Sequence, residues 1–393
     1  MYLRINDPHS YLLIQVLQQL KQRYAIQYDF RTVLRLQADM YPAPELWQAN
    51  AFSDCQYLAQ LYGLNFPQKS PNNNSERDAK VTAQLLHNEL QPSYLEQALE
   101  LFEAYWNNNT RKINTLINPT IAERIECYNH HQQANEALLQ DSGHYLSGML
   151  HYGKEWYWGL DRLEYLEQRF NQLKLNGSDK TDVKFNLSHA NFCSGTKPCS
   201  DNKTAIIIFW SLRSPYSYLA LMRAQQLAAH YQVPLIIKPV LPMVMRRMQV
   251  PKTKGLYILH DVKREANKYQ LDFGFFADPL GSGVERCYAL YEYVKDQGLG
   301  IEFLNSVARG VWAEGIATDT DAGLKQLVER AGLSWQQAQV LLSDNSWRIW
   351  VQDNLLELYS KGLWGVPSLS YDDVNVFGQD RLNCIEQAII KKG

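Results

Sequence analysis

The chain is written twice. Asp7-Pro8-His9-Ser10-Tyr11-Leu12 matches Ser214-Pro215-Tyr216-Ser217-Tyr218-Leu219, with Ser214 standing 207 residues after Asp7. The register then holds: Gln18-Gln19-Leu20 falls on Gln225-Gln226-Leu227, Tyr24 on Tyr231, Asp54 on Asp261, Ala59 on Ala266, Tyr62 on Tyr269 and Leu64 on Leu271. After small insertions and deletions Glu76-Arg77 aligns with Glu285-Arg286, and Trp106 lies near the place of Trp312. The closing blocks agree again, Gly159-Leu160-Asp161-Arg162-Leu163 against Gly378-Gln379-Asp380-Arg381-Leu382. Self-similarity sustained over such a distance means that one architecture must serve both halves. At 393 residues the chain supplies two domains, each large enough for its own core.

The boundaries follow from composition. Residues 1–172 form the first copy and 204–393 the second, while 173–203 are rich in Asn, Ser, Lys, Gly and Asp with little apolar periodicity, which is linker composition. Cys193 and Cys199 fall in that stretch with five residues between them. The spacing fits no standard zinc knuckle and no second pair accompanies it, so both read as incidental cysteines.

Each copy reads as strand, helix, strand, a helical insertion, two strands and a last helix. In the second copy the apolar run Ala205-Ile206-Ile207-Ile208 suits a strand covered on both faces. Ser214-Pro215 is a helix start: the serine hydroxyl accepts a bond from a backbone N–H that has no helical partner, and proline at the first helical position lacks an N–H that would be unpaired anyway. The helix runs over 215–231, with Leu219, Met222, Leu227 and Ala228 at helical spacings, and 233–240 form a strand with prolines near its edges. A helical pattern fills 255–353, broken at Gly274, Asp278-Pro279, 281–283, 298–300 and Gly332. The sheet resumes at 366–371 and 374–377 across the turn Asp372-Asp373, and a final helix covers about 379–390. The helix start at Ser214 aims a hydroxyl and the positive end of a helix dipole at one point, an arrangement suited to a thiolate or another small anion.

Composition narrows the partners. A formal net charge of −2 gives no electrostatic footprint for nucleic acid, and no apolar run approaches the roughly 20 residues that span a bilayer. The residues after Met1 lack the basic and apolar regions of a signal peptide, and six scattered cysteines fit a reducing compartment, so a cytoplasmic protein is expected. No His-x-x-x-His pair or carboxylate cluster suggests a metal.

The block Ser214-Pro215-Tyr216-Ser217-Tyr218-Leu219 resembles the first-strand signature of the kappa-class glutathione transferases and the 2-hydroxychromene-2-carboxylate isomerases, families of the DsbA-like, thioredoxin-like superfamily. The resemblance implies an α/β fold class, two tandem thioredoxin-like domains, each a small mixed sheet with a helical insertion. In redox members a Cys-x-x-Cys motif occupies this helix start; Ser214-Pro215-Tyr216-Ser217 stands here instead, which excludes dithiol chemistry at this site. In the glutathione-dependent relatives the serine at the position of Ser214 supports the sulfur of glutathione. Lys254, in Lys252-Thr253-Lys254-Gly255-Leu256-Tyr257, takes the place of a lysine that approaches glutathione; the bland reading is a solvated surface lysine. Pro367 in Gly365-Val366-Pro367-Ser368 takes the place of a cis-proline, with the Val366 backbone pairing with the ligand; the bland reading is a trans proline opening an edge strand. Gln379 and Asp380 fall where the relatives bind the γ-glutamyl end, and the bland reading of Asp380 is a carboxylate favoured at a helix N-terminus.

The resemblance therefore implies a glutathione-dependent isomerase or transferase acting on a small electrophilic, aromatic or conjugated substrate. It also implies association as a homodimer or, through the fused copies, as an intrachain pseudo-dimer. The alternative is a non-catalytic DsbA-like binding or assembly protein with degenerate sites. Both copies depart from the pattern. Asp7 replaces the serine in the first, Gly148 stands at the position of Pro367, and Trp47 lies opposite Lys254, so the first copy reads as keeping the fold without the glutathione chemistry. In the second, Met245 stands where the kappa class has an asparagine, with Arg246 or Arg247 as a substitute anchor or the methionines as an apolar lining.

Overall fold

The computed structural model describes residues 1–40, 43–188, 192–193, 195 and 204–392. They fall into two compact units, Met1–Tyr41 with Trp47–Ala190, and Pro42–Leu46 with Asn191–Gly393. In the first unit β1 (Tyr2–Leu3) leads into α1 (Pro8–Arg23) and then β2 (Arg31–Thr32); after a helical stretch come β3 (Met149–Tyr152), β4 (Glu155–Trp158) and α2 (Leu163–Gln172). The sheet order is β2-β1-β3-β4, with β1 parallel to β2 and antiparallel to β3. The second unit repeats this with β5 (Ile206–Trp210), α3 (Pro215–Tyr231), β6 (Leu235–Pro239), the helical insertion, β7 (Ser368–Tyr371) and β8 (Val374–Phe377), in the order β6-β5-β7-β8. Again the pair joined through a helix is parallel and the others are antiparallel, since a parallel pair requires a crossover connection and an antiparallel one needs only a turn. Both units are thus mixed α/β layers of the expected class.

The apolar run of β5 is covered on both faces. Ile206, Ile208 and Trp210 face the main core with Leu219 and Leu227 of α3, while Phe209 packs with Val240, Leu358 and Leu363. The helical insertion differs in detail from the sequence reading. It begins with α4 (Lys252–Lys268), includes α5 (Gly300–Ala313), and continues to Ser360. An additional break follows Ala313, because Thr320 starts a new helix by accepting the Gly323 N–H on its hydroxyl at 3.1 Å. The strand expected from residue 366 begins at Ser368: the Val366–Pro367 bond is cis, as the resemblance implied, and proline has no N–H for the ladder. The chain closes with α6 (Leu382–Lys392), preceded by a short 3₁₀ turn over Gln379–Arg381.

Individual bonds recur at positions that the internal repeat aligns. Trp106 Nε1 donates to the Ile5 carbonyl at 3.0 Å and Trp312 Nε1 to the Leu212 carbonyl at 2.9 Å. The Tyr24 hydroxyl donates to Glu167 at 3.2 Å and that of Tyr231 to Glu386 at 2.7 Å, all four residues being buried. The Gly159 N–H reaches the Gly148 carbonyl, and the Gly378 N–H the Pro367 carbonyl, each at 2.9 Å. This last pair makes Gly148 the structural counterpart of Pro367, as the sequence alignment has it.

Residues 173–188 run along the first unit: the Leu175 carbonyl accepts from the Ala25 N–H, and the Glu167 carboxylate accepts from the N–H groups of Lys184 and Phe185, with Phe185 buried. Cys193 is described within the second unit, and Cys199 lies outside the described residues.

The indole bonds tie the insertion to the end of the first strand in both units. Trp312→Phe and Trp106→Phe each leave a buried carbonyl without its donor and should each destabilise their own unit by about 1–3 kcal/mol. Chemical denaturation followed by circular dichroism checks this, and an unchanged midpoint in both variants would remove the indoles from the account.

Candidate functional site

At the start of α3 the Ser214 hydroxyl accepts from the Ser217 N–H at 3.2 Å, capping the helix. It also lies 3.3 Å from the Val366 carbonyl, to which it donates. One oxygen therefore bridges the helix N-terminus and the cis Val366–Pro367 backbone, and it is only half-buried. Ser217, the other end of the four-residue motif, is buried, its oxygen 3.4 Å from the Ser211 N–H. No cysteine stands at 214–217. Elsewhere in the second unit burial and the Glu386 carboxylate push the Cys193 thiol up to about 11, and burial pushes that of Cys287 up to about 12, so both are protonated at neutral pH.

The segment leading into the cis bond is held from behind. Arg246 donates to the Trp364 carbonyl and the Tyr359 hydroxyl at 3.2 Å, and desolvation lowers its pKa. Its guanidinium thus holds the Trp364 carbonyl, two residues before Val366, whereas Arg247 is exposed in a left-handed conformation. Met245 packs against the core.

Gln379 and Asp380 form the turn before α6. Asp380 is half-buried, but Gln379 is 0% exposed and its side chain is engaged inside the protein. Its Nε2 donates to Glu265 Oε2 and to Asp380 Oδ1, each at 2.7 Å. Arg223 Nη1 donates to the Gln379 backbone carbonyl at 2.9 Å and to its side-chain oxygen. The Arg223 guanidinium lies 3.9 Å from the Tyr269 ring centroid and 4.8 Å from that of Phe192. Of the expected pair, then, Asp380 is at the surface and the Gln379 amide lies beneath it.

Lys254 is half-buried in the first turn of α4. Two helical turns on, and so on the same face, the buried Asp261 accepts from the Tyr216 hydroxyl at 2.6 Å and pairs with Arg264. This bond ties the lysine-bearing helix to the residue two places after Ser214. Immediately before Ser214, Arg213 forms a two-pronged ion pair with Asp278 at 2.7 and 2.8 Å, near the exposed Phe275 and Phe276 in sequence.

The sequence reading missed Arg223 and Glu265. The signal was present in the repeat: both interrupt the apolar stripes of α3 and α4, where the first copy has Val16 and Leu58.

The first unit closes the same place. Asp7 is 1% exposed; its Oδ1 accepts from the His9 N–H, and Oδ2 from the Ser10 N–H, the Ser10 hydroxyl and the Ser147 hydroxyl at 2.8 Å. Four donors satisfy the carboxylate, and the adjacent His9 ring packs on Trp158 at 4.5 Å. Among the described residues no group of three or more His, Cys, Asp or Glu is arranged to hold a metal, and no helix is long and apolar enough to cross a membrane.

The Arg213–Asp278 pair gives its loop a pH dependence. Burial alone would raise the Asp278 carboxyl, but the bonds and charge of Arg213, with the Leu280 N–H, hold it below its ordinary value. The unfolded loop therefore takes up the proton first as pH falls, and the pair's contribution is full above the ordinary carboxylate range and lost as pH drops through the lowered value. Amide exchange over residues 274–281 should rise, beyond the intrinsic rate change, between about pH 5 and about pH 3. Asp278→Asn should abolish that extra rise; its persistence in the variant would assign it to another group.

Comparison with known proteins gives a DsbA-like domain and relatives named as isomerases. The family model described as the DSBA-like thioredoxin domain matches residues 205–390. The 2-hydroxychromene-2-carboxylate isomerase of Pseudomonas putida is 25% identical over 189 residues, 46% of this chain and 92% of that protein. The enzyme of the same name from Sphingobium xenophagum is 25% identical over 195 residues, 47% of this chain and 97% of its own. Among solved structures a 2-hydroxychromene-2-carboxylate isomerase aligns at 23% identity and a TM-score of 0.43, covering 48% of this chain and 95% of that one. A probable DsbA oxidoreductase from Streptomyces coelicolor aligns at 18% identity and a TM-score of 0.40, over 48% and 89%. Residues 205–390 of this chain are a DsbA-like thioredoxin domain, with homologues named as 2-hydroxychromene-2-carboxylate isomerases.

Proposed function

We propose that the second unit is a glutathione-dependent isomerase or transferase, resembling 2-hydroxychromene-2-carboxylate isomerase, that holds the glutathione sulfur at Ser214. The observation that carries this reading is the Ser214 hydroxyl, half-buried between the start of α3 and the Val366 carbonyl. What it offers is a hydrogen that can turn from that carbonyl to an incoming sulfur, backed by the helix dipole. When bound, glutathione would supply a thiolate for attack on a small electrophilic, aromatic or conjugated substrate. A free thiol ionises near about 8.5, and each unit by which the hydroxyl and the helix end lower that value corresponds to about 1.4 kcal/mol of preference for the anion. The rest of the site fits the remaining groups of such a ligand: the Val366 backbone is suited to pairing with an extended peptide, Lys254 to a carboxylate and Asp380 to an ammonium. The protein is read as cytoplasmic, with a homodimer or an intrachain pseudo-dimer as its assembly.

The alternative, a non-catalytic binding or assembly module, draws on the first unit, where Asp7 is buried and satisfied by four donors. A carboxylate there repels a thiolate and needs no catalytic explanation.

Calorimetric titration of reduced glutathione into the full chain at neutral pH separates the two. Wild type should bind in the micromolar to low-millimolar range, Asp380→Ala about tenfold or more weakly, and Ser214→Ala should raise the pKa of the bound thiol, read from thiolate absorbance against pH. No heat and no thermal stabilisation at high glutathione would leave the binding-module reading.

A further inference from the structure

Two units of one fold cross the same three elements with opposite chemistry. Where α3, α4 and the turn before α6 meet, the second unit buries Arg223, Glu265 and Gln379, at 2%, 0% and 0% exposure. At the matching positions the first unit has Val16, Leu58 and Leu160, at 0%, 0% and 1%. The first three residues form a hydrogen-bonded chain; the second three belong to one hydrophobic core. Removing charged groups from water is costly even when they are paired, and a well-packed apolar set of similar volume is commonly as stable or more so. The first unit is that replacement, built on the same architecture. The fold at this crossing therefore does not need the polar set.

What the polar set does is visible in its bonds. Arginine only donates and an ionised carboxylate only accepts, so the Gln379 amide has one workable orientation: its oxygen toward Arg223 and its nitrogen toward Glu265 and Asp380. Arg223 is in turn fixed between the rings of Tyr269 and Phe192. The chain runs from a clamped guanidinium, through one amide, to a single oxygen of the half-buried Asp380. A neutral bridge is required, because a carboxylate at position 379 would bring three anions together and an apolar side chain would break the chain.

We infer that Arg223, Glu265 and Gln379 are positioning residues that aim the Asp380 carboxylate at the ammonium of the ligand. This assigns Gln379 a role beneath the site rather than in contact with the ligand, and it rests on the glutathione reading given above. Asp380 keeps one oxygen on the Gln379 amide and is thereby fixed in orientation before the ligand arrives, so less side-chain freedom is lost on binding.

The test copies the first unit into the second. The full chain carrying Arg223→Val, Glu265→Leu and Gln379→Leu should melt at or above the wild-type temperature, yet bind reduced glutathione about tenfold more weakly, the lower end of the loss seen when outer hydrogen-bond partners of a metal site are removed. In that background Asp380→Ala should cost little further affinity, although in wild type it costs about tenfold, because both changes disable one device. A merely structural role would leave the two losses additive. Should the triple variant fail to fold, Arg223→Lys, which keeps the cation and removes the planar guanidinium clamped between the rings, should weaken binding and show the same non-additivity with Asp380→Ala. Wild-type affinity in a folded triple variant, or additive losses, would overturn the inference while leaving the glutathione reading intact. No binding by wild type would overturn both.

Discussion

A helix that starts immediately after a buried strand has free N–H groups at the edge of the sheet, and a different group meets them in each unit. In the second unit it is the Ser214 hydroxyl, accepting from the N–H three residues on and donating to the Val366 carbonyl. In the first it is Asp7, accepting from the N–H three residues on and from the Ser147 hydroxyl. Ser147 precedes Gly148 as Val366 precedes Pro367, and the bonds from Gly159 and Gly378 make those positions equivalent. The same three-way junction of central strand, helix start and third strand is therefore tied in both units. The direction of the strand-side bond reverses: a backbone carbonyl receives it in one, and in the other a side chain gives it.

Much of this was legible in sequence, for reasons that differ by element. The bounds of α3 could be read directly, because Pro215 fixes the start and the apolar stripe ends at Tyr231, with Gln232 in the left-handed conformation. The hairpin β7–β8 was legible through Asp372-Asp373, the first of which has positive φ. The offset repeat went further, since the indole and tyrosine bonds fall at equivalent positions. The insertion was read less well. Its turns were found where a glycine marks them, but the turn before Trp347 has none and is held by Asp344, which accepts from the Ser346 N–H and hydroxyl.

The site was legible in its groups and illegible in their burial. A lone sequence gives Asp380 and Gln379 the same standing, two polar residues opening a helix; only the approach of α3 and α4, from more than a hundred residues away, puts one at the surface and the other beneath it. Asp7 is a similar case. As an N-cap it looks like Ser214 with a charge added, and what closes it is Ser147, 140 residues distant. Position along the chain specifies which groups converge, whereas exposure is decided by what the other elements bring.

The two caps also differ in what they leave unused. Asp7 places a full negative charge on the positive end of α1 and surrounds it with four donors, so the dipole is neutralised within the protein and the helix start is stabilised locally. A hydroxyl carries only a partial charge; it satisfies one N–H and leaves most of the field at the start of α3 to be met by something else. The serine is therefore the weaker electrostatic cap of the two. With the same indole and tyrosine bonds in each unit, the capping residue is where the two units part company. The first unit has taken the carboxylate and an apolar crossing; the second has kept the hydroxyl and a buried polar one.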